Sequence, residues 1–477
     1  MQIPFIIQGG MGVAISDWRL ARAVAQAGEL GVVSGTGVSR VLISRLMEGD
    51  AGGALGRALA GFPLAAPARA VWEAYYVAGG KATEAAYRTP APYTLEPART
   101  LDQLTAIANF AEVWLAKEGH AGPVGINLLE KVQLPTLASL YGAMLAGVDV
   151  VIMGAGIPTQ VAEILDRLAT HQPVSYRVNV LGAAAEDDYR IHFDPQTVFP
   201  GIAEAVGPLK RPAFLPIVSS VVLAQSLLQR SKGRIDGFVI EGPTAGGHNA
   251  PPRGALKLNE RGEPVYGERD VVDLEKMKAL GLPFWLGGGH GHPEGARAAR
   301  MAGAAGVQVG SAFALCEESG MAAGLRRRIV ELALAGRAEV ITSPVVSPTG
   351  FPFKVARLDG TLSEPAVYAA RKRVCDLGFL RSLYKKEDGT IGYRCSAEPV
   401  EEYVRKGGSA AETVGRGCLC NNLMATAGYP QRRKDGSVEP ALVTLGDDLS
   451  GAARLAAAGG GTYAAADVIA YVKQGLE

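Results

Sequence analysis

The chain has 477 residues, and its 48 Lys and Arg nearly balance 47 Asp and Glu, for a formal charge of +1. That balance argues against a nucleic-acid partner, which would demand a basic stripe, and no apolar run reaches the ~18–20 residues that span a bilayer. The opening Met-Gln-Ile-Pro-Phe-Ile-Ile lacks the basic start and long apolar stretch of a signal peptide, so a cytoplasmic protein is expected.

Taken in chain order, short apolar runs fall at residues 3–7, 30–34, 124–128, 148–153, 214–218, 237–240, 283–286 and 306–309. Their unbroken apolar character suits parallel strands buried on both faces. Helical stretches lie between them. Residues 18–27 are the clearest, with Ser16 or Asp17 as cap, Leu20, Val24 and Ala27 on one face, and Gly28 as the stop. Residues 158–168 and 293–302 repeat the pattern. Eight strands with interleaved helices predict an α/β chain folded as a (β/α)8 TIM barrel, with a doubly wound open sheet as the alternative. Residues 50–105, rich in Ala, Gly and Pro, read as helices and loops inserted after the second strand. Residues 171–211 read as an extra hairpin, or 174–180 as the fifth barrel strand. From about 345 the alternation stops. We therefore expect a barrel over 1–345 and a C-terminal lobe over 346–477, a lid or dimer surface, ending in a helix at 463–475.

Chemistry is expected where strands end, because barrels carry their sites at the C-terminal tips of the strands. The run Phe-Val-Ile-Glu-Gly-Pro-Thr-Ala-Gly-Gly-His-Asn at 238–249 puts the imidazole of His248 on a glycine-rich loop after a buried strand. Gln-Gly-Gly-Met-Gly follows the first strand, and is either a tight turn or a backbone cradle for an aromatic ring or an anion. The glycines at 287–289 and the stretch Gln308-Val309-Gly310-Ser311 end the last two strands, where barrels hold phosphate through backbone amides and a hydroxyl. Asn127 and Glu241 end apolar runs, so each needs a partner. His290-Gly291-His292 could suggest a metal pair, but no cysteine lies nearby and no metal is expected. Five cysteines do not form a disulfide scaffold. Cys418 and Cys420 with Cys375 and Cys395 match zinc spacing poorly, and read as buried thiols.

Six motifs occur in order: Ile-Gln-Gly-Gly-Met-Gly, Leu-Gly-Val-Val-Ser-Gly, Gly-Ile-Asn-Leu, Gly-Pro-Thr-Ala-Gly-Gly-His, Gly-Gly-Gly and Gly-Val-Gln-Val-Gly-Ser. Together they resemble the nitronate monooxygenase (2-nitropropane dioxygenase) family and the related flavin-dependent enoyl-acyl-carrier-protein reductases. The resemblance implies an FMN-binding barrel. Gly9, Gly10 and Met11 would lie along the isoalloxazine, Asn127 would bond near the ring, and Gly246 would pack beside it. Gly288, Gly289, Gln308, Val309, Gly310 and Ser311 would hold the cofactor at its phosphate end, and His248 would be the catalytic base or hydrogen-bond donor. Glu241, also expected at the cofactor, stands where relatives often carry a Gln that reads the flavin or the loop, Ser311 where Thr is common, and His290 where an apolar residue is usual. The implied activity is oxidation of alkyl nitronates or nitroalkanes with O2. The alternatives are an NAD(P)H-dependent FMN reductase of quinones or enoyl thioesters and, in another class, a non-catalytic flavoprotein or a subunit that docks a partner. A homodimer is a further expectation.

Overall fold

The structure is a computed structural model and describes residues 2–477. Its eight barrel strands are β1 (Ile6–Gln8), β2 (Gly31–Ser34), β3 (Val124–Leu129), β4 (Val150–Gly154), β5 (Ala213–Val218), β6 (Phe238–Glu241), β7 (Phe284–Gly287) and β8 (Gly306–Val309). Each pairs in parallel with its neighbours, β2 through β8 in sequence and β8 back onto β1. The ring shuts between β1 and β2 through a parallel bridge, Ile7 to Leu30, held by Gln8 N–H to Leu30 O at 3.0 Å and Leu30 N–H to Ile6 O at 3.1 Å. Closure rules out the open sheet. Inside the ring Ile7, Leu30, Val32, Val150, Ile152, Leu215, Val239 and Trp285 form an apolar cluster of their own, so the barrel is filled and only its rim is free for a ligand.

The crossover helices follow the sequence pattern. Asp17 caps Trp18–Gln26 by accepting from Arg19 N at 2.9 Å, while Ser16 turns inward to donate to Gly9 O at 2.8 Å. Helices Val161–Leu168 and Pro293–Met301 also fall where expected. Residues 50–105 carry helices Ala54–Ala60 and Ala65–Tyr75 and the start of Arg99–Lys117. The alternative of residues 174–180 as a barrel strand is overturned. Val174–Arg177 pairs antiparallel with Arg190–Phe193 outside the ring. Val174 and Tyr176 are buried while Arg177 is exposed, the mark of a strand covered on one face, whereas a barrel strand is covered on both.

Beyond residue 345 the chain folds back over the barrel. Val340–Ser343 pairs with Phe353–Ala356, and Ser382–Lys385 pairs both with Ile391–Arg394 and, in parallel, with Val180–Leu181 of the insert. The final helix is Ala465–Lys473. Val443, Leu445, Ala456, Tyr463, Val468 and Val472 enter the same apolar core as the barrel's outer face, each large aliphatic side chain contributing roughly 1.5–3 kcal/mol. Among the described residues no helix is long and apolar enough to cross a membrane.

Candidate active site

At the tip of β1, Gln8 is spent on structure. Its Oε1 accepts from Val32 N at 2.9 Å and its Nε2 donates to Ser16 Oγ at 2.8 Å and to Gly9 O. This fixes the turn that leads into Gly9, Gly10 and Met11. A Cβ on Gly10 would fall 2.2 Å from the Asn127 Cβ, so glycine lets the turn press against β3. Asn127 answers by donating Nδ2 to Gly10 O at 2.7 Å. Its Oδ1 is buried without a partner.

Across the rim, Gln308 of β8 donates Nε2 to Glu241 Oε1 of β6 at 2.8 Å, and its own Oε1 is also buried without a partner. Burial pushes the Glu241 carboxyl up to about 7, with the Gln308 bond opposing. At the end of β7, Gly288 has φ +86° and a Cβ there would lie 2.7 Å from Thr244 Oγ1. Ser311 Oγ accepts from Gly446 N at 2.8 Å, which leaves its proton free to donate. His290 Nδ1 is buried and unpartnered. His292 caps the helix Pro293–Met301, accepting from Gly295 N at 3.1 Å.

His248 is gripped from the C-terminal segment. The loop after β6 pairs with the strand beyond Pro352, through Lys354 N–H to Gly247 O and Asn249 N–H to Pro352 O, both 2.9 Å. Gly247 N–H donates to Thr444 Oγ1 at 2.9 Å. The ring packs edge-on to Phe353 with centroids 4.8 Å apart, and Nε2 sits 2.7 Å from Ser347 Oγ. Burial, helped by the nearby Lys131, lowers the His248 pKa to about 4. The imidazole is therefore neutral at pH 7, which removes an imidazolium from the roles open to it.

His248 and the twelve residues expected at the cofactor, Gly9, Gly10, Met11, Asn127, Glu241, Gly246, Gly288, Gly289, Gln308, Val309, Gly310 and Ser311, line a single cavity of about 230 Å3. What the sequence pattern missed is its far wall. Phe379, Leu380, Leu419, Cys420, Leu423 and Thr444 come from the C-terminal segment, and Ser347 reaches His248 from there. The Cys418-Leu-Cys420 pair was the sole local signal in that region. All five cysteines are free thiols, and among the described residues no three His, Cys, Asp or Glu side chains are placed to hold a metal ion.

Residues 191–348 match the nitronate monooxygenase family model. Over that third of its length the chain is similar to the nitronate monooxygenases. A probable nitronate monooxygenase of Bacillus subtilis is 34% identical over 128 residues, 27% of this chain and 35% of that protein. The nitronate monooxygenase of Pseudomonas aeruginosa is 36% identical over 117 residues, 24% of this chain and 32% of that protein. These alignments span about a third of each relative. Among solved structures, the nitroalkane oxidase of Streptomyces ansochromogenes aligns over all of this chain and 96% of its own, with 14% identity and a TM-score of 0.49. The family match takes in β5 to β8, His248 and Ser347. It leaves out Gly9, Gly10, Met11, Asn127 and the cavity's C-terminal wall.

Proposed function

We propose that the chain is an FMN-dependent oxidoreductase that oxidises alkyl nitronates with O2. The observation that carries this is a neutral imidazole facing a glycine-walled cavity in which two buried amide oxygens, Asn127 Oδ1 and Gln308 Oε1, lack donors. A buried acceptor without a donor is costly; the single ring N–H of an oxidised flavin would satisfy one of the two, and a hydroxyl of its ribityl arm the other. Gly9, Gly10, Met11 and Gly246 leave backbone for the ring to lie against. Gly288, Gly289, Val309, Gly310 and Ser311 offer amides and a hydroxyl to a phosphate. The donor set fits the cofactor.

Bound there, the flavin supplies the two-electron chemistry and the outlet to O2. The chain's own part is proton management and orientation. With Nε2 committed to Ser347, Nδ1 of His248 is the nitrogen left for substrate. When Ser347 donates to Nε2, Nδ1 carries the proton and donates to a nitronate oxygen. When Ser347 accepts, Nδ1 is a base for the α-proton of a nitroalkane. The apolar wall of Phe379, Leu419 and Leu423 excludes water and takes the alkyl part of the substrate.

His248→Ala is expected to lower turnover by about 10²–10⁴-fold, the usual worth of a positioned acid or base, with FMN still bound. Loss of flavin in that variant would overturn the assignment. Anaerobic titration separates the activities: a nitronate should bleach the flavin, and bleaching by NAD(P)H alone would instead make the protein a reductase.

A further inference from the structure

Glu241 ends β6 with its carboxyl in the cavity wall. A carboxylate removed from water needs a cation beside it or a proton on it. Among the described residues no charged group acts on Glu241, and its polar partner is the uncharged Gln308 amide. The other ionisable groups around the cavity do not supply a charge to it. Burial lowers the pKa values of both His248 and His290, and pushes the Cys420 thiol well above its ordinary value. Lys131 lies behind His248 with its ammonium over the Phe351 ring at 3.5 Å, and Asp448 stands on the C-terminal wall. Gly287 packs on Glu241 from β7, where a Cβ would be 3.0 Å from the glutamate Cγ. Gln308, having given Nε2 to the carboxyl, keeps a buried Oε1 that nothing among the described residues satisfies.

We propose that Glu241 serves the cofactor site as a neutral carboxylic acid, so that its O–H and Gln308 Oε1 form a donor–acceptor pair for a carbonyl and an adjacent N–H of the flavin ring. The inference rests on the flavin reading of the site and deepens it. Its consequence is a proton linked to binding: flavin joins the protonated site and leaves as Glu241 ionises. Glutamine keeps the shape and supplies an N–H donor at every pH, so Glu241→Gln uncouples binding from pH.

The test dilutes flavin-loaded, full-length protein into buffers from pH 5.5 to 8.5 and reads released FMN by its fluorescence. For the wild type, Kd should rise above pH 7, approaching tenfold per pH unit. The wild-type to E241Q ratio cancels the ionisation of the FMN phosphate itself, and that ratio should climb with pH. Parallel profiles would overturn the proposal. A second measurement needs only the wild type. At pH 8, binding of FMN should take up close to one proton, read from the buffer dependence of the binding heat, and no uptake would also overturn it. A wild type that binds no FMN at any pH would sink the functional reading instead, so the two failures are distinct.

Discussion

His248 and Glu241 sit on one loop and strand, yet burial moves them in opposite directions. The folded-state pKa of Glu241, about 7, is raised from the ordinary 4.5. Its contribution to stability is full below 4.5, declines as pH rises, and is gone above 7. His248, about 4 against an ordinary 6.5, is the reverse: the folded chain keeps its full share above 6.5 and loses it as pH falls toward 4. Flavin-free protein should accordingly show Glu241→Gln melting above the wild type at pH 8 and level with it at pH 4.5, by calorimetry. An unchanged difference across that range would mean that the carboxyl does not titrate in the folded chain.

At the scale of the element, the loop after β6 owes its geometry to segments about a hundred and two hundred residues downstream. Lys354, with its side chain 3% exposed, lies beside the pairing that holds Gly247 and ties to Asp447 with Nζ 2.6 Å from both carboxylate oxygens. Asp447 in turn donates its N–H to Thr244 O at 3.1 Å. Asp447→Asn strands a buried ammonium. Because the aspartate side is 42% exposed, the expected loss is about 2 kcal/mol, below the full cost of breaking a buried pair. Urea unfolding checks it, and Lys354→Met combined with Asp447→Leu should recover most of the loss. This dependence also explains what the sequence made legible. Strands buried on both faces announce themselves as apolar runs, and a barrel places the residues that follow them at one rim. Gly9, Asn127, His248, Gly289 and Ser311 could thus be grouped from local pattern alone. Ser347, Phe379, Leu423 and Thr444 reach the same cavity through pairings and packing between distant segments, which leave no periodicity to read. The hairpin at Val174–Arg177 was ambiguous for a related reason: four residues of mixed burial look alike whether they join a ring or lie upon it.

In the whole molecule, the barrel and the segment beyond 345 share an apolar core, and Lys473 of the last helix reaches Glu29 at 2.7 Å. The ring itself is uneven. Seven of its seams are strand pairings of two to five residues, but β1 and β2 meet through the Ile7–Leu30 bridge. That seam is where the staves should part first. Amide protons of Gln8 and Leu30 should exchange with deuterium sooner than those of Val151 or Ile152 in β4, since local opening follows the fewest protecting bonds. Gly9 to Met11 continue straight from this seam, so the side of the cavity reached from β1 can yield while the side gripped by the C-terminal segment stays shut. A planar guest seated on that turn at the rim should therefore slow exchange at this seam most.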